Sequence, residues 1–361
     1  MNHSTITGMG LVPLNLPMRQ PFVTALGQKR MSRNLLVAVR LENGIVGYGE
    51  ASESLAWPLD TQQAMTRTLR ELAPRLVGTE INQFRPAVAR VWEAAGRHPT
   101  AAAALECALL DAYTRARAIP LWRWLGNRQR SVTTSMTISA WEPAHSAQVA
   151  RAAFIQGFMR LKIKVTAKDP DKDFWRVALV HKAAPKAVLL LDGNQGFTAP
   201  QAVQFAARLR RHRIRAHLFE QPVPRKDWDG LAQVQREAGI PVAADESARS
   251  ADETCRLVRK RIVPVVNIKL AKCGLLGALR IIRLAKTTGT RLMIGCMAES
   301  AIGLSPSVHL ACGSGAFDFV DLDSHLLAVS PPCDPGFTTR EARLSIHPSR
   351  PGSGVFFRNL S

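Results

Sequence analysis

Six residues within little more than a hundred positions could carry chemistry in this chain. Lys162 and Lys164 stand in MRLKIKV, Asp192 in LDGNQ, Glu220 in FEQP, Asp245 in ADES and Lys269 in VNIKLAKCG. Side chains alternate along an extended strand, so Lys162 and Lys164 share one face while Leu161, Ile163 and Val165 share the other. If the apolar face meets helices, both ammonium groups point into whatever the strand encloses. A K-x-K alone is also what a solvated strand shows, but on a strand buried on both sides an inward charge needs a partner or a task. The three acids recur at separations of 28 and 25 residues, one strand–helix repeat apart. Each alone could cap a helix or pair with a base. Three at equivalent strand ends repel one another unless a cation sits among them, and an all-oxygen set without histidine or cysteine favours Mg²⁺ over Zn²⁺.

Lys269 enters by the same alternation: it shares a face with Asn267, while Ile268 and Leu270 face away. Removing a proton beside a carboxylate creates an enediolate, whose charge a divalent cation can stabilise. An amine on each side of that carbon allows removal at one face and return at the other, which inverts the centre. A lysine acting as base must be neutral part of the time, and the ammonium of Lys162 together with the cation is expected to lower the pKa of Lys164. Further on, VDLDS places Asp321 and Asp323 on one face with Leu322 opposite. An anionic pair suits a cationic group and repels an anionic acyl tail; the bland alternative is two aspartates capping the end of a strand. Cys296, in IGCMAES, has no paired base in view and is not expected to act as a nucleophile.

The elements that must position these residues are legible as a change of rhythm. Residues 34 to 50, NLLVAVRLENGIVGYGE, alternate Leu35, Val37, Val39 and Leu41 on one face and turn at Asn43-Gly44, an antiparallel hairpin. Leu105, Ala108, Leu109 and Ala112 then recur at helical spacing, with Pro120 and Gly126 marking the exit. From residue 131 eight short apolar runs alternate with helix-period segments: SVTTSMTIS, MRLKIKV, AVLLLDGN, HLFEQP, PVAADES, PVVNIKL, RLMIGCM and FDFVDLDS. Regular alternation predicts a parallel sheet, and eight units predict closure into a (β/α)8 barrel whose site lies at the strands' C-terminal ends. The second and sixth strands then face each other, so Lys164 and Lys269 flank the three acids. The expected fold is α/β, a TIM-type barrel over residues 128–330 with an N-terminal α+β capping domain over 1–127. Residues 331–361, with RPGSG and VFF, are expected to return to that domain.

Composition narrows the classes. At 361 residues the chain exceeds the usual single core. No apolar run reaches the roughly 18 residues of a membrane span, and MNHSTITGMGLVPLNLPMRQ lacks a basic start and apolar block, so no secretory signal is expected. Six scattered cysteines without a C-x-x-C pair read as reduced, which places the protein in the cytoplasm. The balance of 48 basic against 28 acidic residues, +20, raises a polyanion partner. The basic residues lie along helices, as in Arg208, Arg210, Arg211, Arg213 and Arg215, without any nucleic-acid motif, so neither nucleic acid nor membrane is expected as a partner.

K-x-K, D-x-N, E-Q-P, D-E-S and N-I-K-L-x-K-C-G, in this order and spacing, resemble the muconate-lactonizing branch of the enolase superfamily over nearly the whole chain. The resemblance implies Lys164 and Lys269 as an acid/base pair, Lys162 as an electrostatic helper, and Asp192, Glu220 and Asp245 as ligands of one Mg²⁺ per subunit. Asn194 and Glu246 of the D-x-N and D-E-S motifs would stand behind those ligands. A D-x-D matching Asp321 and Asp323 binds the free α-ammonium of the substrate in dipeptide epimerases, and the segment with Cys296 and Met297 resembles one whose backbone contacts the peptide. The segment MRQPFVTALGQKR, with Thr24, would cover the site. Gly27 stands where the Ala-Glu epimerases carry an arginine, with Lys29 and Arg30 as candidate substitutes. The resemblance therefore implies a dipeptide epimerase, and a homo-oligomer is expected. Alternatives within the superfamily are an N-acylamino acid racemase, an o-succinylbenzoate synthase or a cycloisomerase; outside it, a catalytically silent polyanion-binding protein.

Overall fold

Three antiparallel strands open the chain in the computed structural model, which describes residues 4–329, 331 and 333–357: β1 (Ile6–Thr24), β2 (Gly27–Leu41) and β3 (Val46–Ser52). The boundary expected at residue 330 and the last four residues lie outside the described set. The β2–β3 turn falls at the Asn-Gly pair, with Gly44 at φ +81°. The 19-residue β1 was not anticipated. Pro13, Pro17 and Pro21 obscure its pattern, but β1 is the edge of its sheet, the one place where an N–H facing away from the neighbouring strand can be missing without loss of a ladder bond.

Helices α1 (Gln62–Leu72) and α3 (Pro99–Ala116) pack on this sheet, and α2 (Phe84–Ala95) packs on α1 and α3. The stripe of Leu105, Ala108, Leu109 and Ala112 on α3 is fully buried. Its alanines let β3 approach closely: a Cβ at Gly47 or Gly49 would collide with the α3 backbone at Ala108 or Ala104.

The barrel follows as a parallel eight-stranded sheet in sequence order. Its strands are Met136–Ile138, Arg160–Lys164, Val188–Asp192, Ala216–Glu220, Val242–Ala244, Val265–Ile268, Arg291–Gly295 and Phe319–Asp321, barrel strands 1 to 8. Each run contributes a strand, with one correction. SVTTSMTIS is not continuous: Ser131–Thr133 pairs instead with the hairpin Phe337–Arg340/Arg343–Ile346. The break falls at Thr134-Ser135, whose polar groups turn to the seam between strands 1 and 8. Ser135 N donates to Val320 O at 2.9 Å and Leu322 N to Thr134 Oγ1 at 2.7 Å.

Capping side chains that the sequence displays start the barrel helices: Asp169 before Pro170, Thr198 in a capping box with Gln201, then Asp227, Ser250 and Ser300. Beyond the hairpin the chain reaches the first domain. Ser353 N donates to Asp111 Oδ1 at 2.6 Å, Arg115 Nη2 donates to Val355 O at 2.6 Å, and the Phe357 ring lies 4.9 Å from that of Tyr48.

Candidate active site

Inside the barrel, Leu190, Leu218, Ala243, Val265, Met293 and Phe319 form an apolar layer. Two residues further along the same inward faces stand Asp192, Glu220, Asp245, Asn267, Gly295 and Asp321. Filled by hydrocarbon below, the barrel becomes polar at its C-terminal end within one step of alternation. Between that end and the β1–β2 hairpin lies a cavity. Lys162, Lys164, Lys269, Asp245, Asn194, Glu246, Cys296, Met297, Asp321, Asp323 and Thr24, all singled out from sequence, line it. Asp192 and Glu220 are buried without lining it, and lie within ion-pair distance of the Lys162 ammonium.

The ion pairs are specific. Lys162 Nζ is 2.7 Å from Asp321 Oδ2, 2.8 Å from Glu220 Oε2 and 3.0 Å from Asp192 Oδ2. Lys164 Nζ meets Asp192 Oδ2 at 2.6 Å, and Lys269 Nζ meets Asp245 Oδ2 at 2.7 Å. Burial works against the Lys162 ammonium, but Asp192, Asp321 and Glu220 outweigh it and hold its pKa above the ordinary value. Asp192 is driven the other way: burial opposes its charge, yet Lys162 and Lys164 bring it down to about 2. Burial and the neighbouring Asp192 push Glu220 up to about 7, and burial with Asp245 pushes Glu246 up to about 8.

Two effects compete on the pKa of Lys269. Burial lowers it, but the ion pair with Asp245 dominates and raises it. Asp321 has two partners within the protein. Its Oδ1 accepts from Ser135 Oγ at 2.7 Å and its Oδ2 from Lys162, so its charge is already answered. Asp323 accepts from Thr137 N at 2.6 Å, and burial, then Asp321, push it up to about 7. Cys296 is pushed well above the ordinary thiol range by burial, then by Glu299 and Asp323, so it is no thiolate nucleophile.

Sequence reasoning passed over several supports. Lys272, one helical turn after Lys269, donates to Asp245 Oδ1 at 2.8 Å and to the carbonyls of Asp245 and Asn267. Asn267 Nδ2 donates to Glu220 Oε1 at 2.7 Å. Gln221 Oε1 accepts from Asp245 N and Ser247 N, fixing the strand-5 end. Asn194 and Gln195 (φ +39° and +70°) and Gln221 (φ +33°) hold left-handed backbone at two adjacent strand ends, strain that the surrounding bonds must hold in place. All but the strain had a signal, since each is a polar residue within a motif already identified.

The capping domain is fastened to the barrel by two buried carboxylates. Glu50 on β3 accepts from Ser300 N (2.8 Å), Ser300 Oγ, Gly303 N (3.0 Å) and Asn34 Nδ2 (2.7 Å), at the start of helix Ala301–Ser314. Glu106 on α3 accepts from Leu276 N at 2.7 Å where helix Leu270–Thr288 is interrupted at Gly274, φ +63°. Burial pushes Glu106 up to about 7. Asn34 Nδ2 and Ser32 Oγ also donate to Ala298 O, next to Met297.

The donor set fits a divalent ion, though not as a preformed cluster. Among the described residues no three acidic, histidine or cysteine side chains are grouped closely enough to hold one, because lysines lie between them. The charge count supports the fit: Asp192, Glu220, Asp245, Glu246, Asp321 and Asp323 are six buried carboxylates against the four ammoniums of Lys162, Lys164, Lys269 and Lys272. Burial among neighbouring acids pushes Glu220, Glu246 and Asp323 up to about 7 or 8, a cost that a cation would relieve, and Glu246 Oε2 and Asn194 Oδ1 are buried without a hydrogen-bond partner.

Two family profiles match the chain: "Mandelate racemase / muconate lactonizing enzyme, N-terminal domain" over residues 7–126 and "Enolase C-terminal domain-like" over 145–359. An "Aromatic dipeptide epimerase" of Herpetosiphon aurantiacus is 38% identical over 343 residues, 95% of this chain and 96% of its own. An "L-Ala-D/L-Glu epimerase" of Thermotoga maritima is 37% identical over 82% of this chain and 85% of its own. A dipeptide epimerase structure from Enterococcus faecalis, complexed with Mg and the dipeptide L-Leu-L-Tyr, superposes with a TM-score of 0.91 at 30% identity, covering 98% of this chain and 99% of that one.

Proposed function

The chain belongs to the mandelate racemase/muconate lactonizing enzyme family of the enolase superfamily, and from that premise we propose a dipeptide epimerase that inverts the α-carbon of the C-terminal residue. The observation that carries this reading is that Lys164 ends barrel strand 2 and Lys269 directly follows barrel strand 6, with Asp323 lining the same cavity. Mg²⁺, one ion per chain, is the proposed cofactor, with Asp192, Glu220 and Asp245 as its ligands. When bound it supplies positive charge against the negative charge that builds on the substrate carboxylate as the α-proton leaves.

The protein's own groups do the rest. One of Lys164 and Lys269 takes the α-proton at its Nζ while the other, as ammonium, returns a proton to the opposite face. Each starts ion-paired, Lys164 with Asp192 and Lys269 with Asp245, so each must give up that pairing to act as base. Lys162 keeps an ammonium beside Asp192 and Glu220 throughout, which limits the repulsion between the two acids. Asp323 holds the substrate's free ammonium, and Thr24, Cys296 and Met297 wall the peptide in. Asn194 donates to Glu246 Oε1 at 3.2 Å and braces the floor beside Asp245. We propose the cytoplasm as the compartment, consistent with six free cysteines. Among the described residues no helix is long and apolar enough to cross a membrane.

A screen of L,L-dipeptides for α-deuterium exchange in D₂O tests this reading. Exchange confined to the C-terminal residue, together with the epimeric product, is expected. Exchange with N-acylamino acids but with no dipeptide would replace it by the racemase alternative.

A further inference from the structure

The cavity has two unlike halves. Its floor, at the barrel end, carries the charges that would bind the ammonium and carboxylate of a dipeptide, so the side chains must project toward the cap. There the wall is largely apolar, formed by Met18, Phe22, Leu26, Leu55, Trp57 and Leu327, with Thr24, Glu53 and Ser54 as its uncharged or acidic polar members. One ammonium interrupts it, that of Lys29. Arg30, the other candidate cation, is exposed and does not line the cavity.

Position on the hairpin fixes what Lys29 faces. Phe22 on β1 and Lys29 on β2 are direct cross-strand partners, and such partners project from the same face of a sheet. The Phe22 ring lies 5.6 Å from Lys164 Nζ. Phe22 therefore stands beside Lys164 and on the same hairpin face as Lys29, and all three line the cavity. Lys29 Nζ donates to Glu53 O at 2.5 Å, which uses one of its three N–H bonds. Burial, partly offset by Glu53, lowers its pKa to about 8, so the ammonium is incompletely solvated where it stands.

We propose that Lys29 is a specificity-determining residue that donates a hydrogen bond to an oxygen acceptor at the far end of the C-terminal side chain of the substrate. The class this selects is a dipeptide whose C-terminal residue has an apolar stem tipped by oxygen, with tyrosine as the type case. The proposal rests on the dipeptide reading and adds to the aromatic and aliphatic wall a preference that the wall alone cannot supply.

The test compares L-Ala-L-Tyr with L-Ala-L-Phe as substrates of the wild type, Lys29→Met and Lys29→Arg, with circular dichroism melts of all three. A hydrogen bond from a charged donor predicts that the wild type favours the tyrosyl substrate about tenfold or more in kcat/KM. Lys29→Met should abolish that preference while leaving the phenylalanyl substrate within about threefold, and Lys29→Arg should restore it. Equal use of the two substrates by the wild type would overturn the proposal. So would an equal loss on both in Lys29→Met, which would mean that Lys29 only pins the backbone at Glu53. If no dipeptide of any kind is epimerised, the dipeptide reading itself fails and this proposal falls with it; turnover of dipeptides without a tyrosine preference sinks the proposal alone.

Discussion

Acetylating the amino terminus of a dipeptide substrate should lower kcat/KM about 30-fold, and the structure sets that figure. Losing one member of a buried charge pair costs about 2–5 kcal/mol. Asp321 already has Lys162 and Ser135 as partners, so the loss falls on Asp323, which is 2% exposed and retains its bond from Thr137 N. Asp323 can also take up a proton, because burial and Asp321 push it up to about 7. Both features limit the penalty to the lower bound, about 2 kcal/mol or 30-fold. The pH dependence has a definite sign. Above about pH 7 Asp323 is a carboxylate and attracts the substrate ammonium; as pH falls through about 7 it protonates, and kcat/KM for free dipeptides declines. The acetylated substrate should lack this limb. Asp323→Asn should weaken free dipeptides while sparing acylated ones. The assay is kcat/KM from pH 5.5 to 8.5 for matched free and N-acetylated dipeptides with both proteins. Acylated compounds outperforming free ones in the wild type, or equal losses on both in Asp323→Asn, would refute the reasoning.

Lys164→Ala and Lys269→Ala should each abolish epimerisation, yet each should still exchange the α-proton of one stereoisomer with D₂O, read by proton NMR; wild-type interconversion by either variant excludes two bases. Exhaustive chelation should remove activity and added Mg²⁺ restore it, and Asp192→Ala, Glu220→Ala or Asp245→Ala should stay inactive with the ion present while keeping a barrel-like circular dichroism spectrum. Gly274→Ala should destabilise the protein by about 2 kcal/mol or more in denaturant titration, because the position has φ +63° and a Cβ there meets the Glu106 carboxylate.

The fold was legible because barrel strands declare themselves by alternation: Lys162 and Lys164 on one side and Leu161, Ile163 and Val165 on the other could be read directly. The break at Thr134-Ser135 was not, since nothing local distinguishes a hydroxyl that closes a seam with Leu322 from one within a strand. β1 escaped notice because prolines mask a pattern that only its edge position makes tolerable. The site was legible as residue types at strand ends. Its ion pairing was not, because which lysine meets which acid depends on register and rotamer. Asp321 was read from its spacing as half of an anionic pair suited to a cation; that it also meets Lys162, 159 residues away in sequence, no local pattern discloses.

The two glutamates that fasten the cap have a consequence for how the chain is made. Glu106 finds its partner Leu276 at a separation of 170 residues and Glu50 finds Ser300 at 250. At elongation rates of about 5–20 residues per second, the Glu50 contact awaits its other half for roughly 13–50 s after Glu50 has been synthesised. During translation the early domain therefore holds Glu50 through Asn34 and Glu106 through Trp92, while the remaining oxygen lone pairs of both carboxylates stay with water. Its strands and helices can assemble, but the face that will meet the sixth and seventh barrel units stays wet until those units emerge from the ribosome. Completion is delayed until most of the barrel has been synthesised, and a ribosome stalled before residue 276 displays a cap with both carboxylates still hydrated.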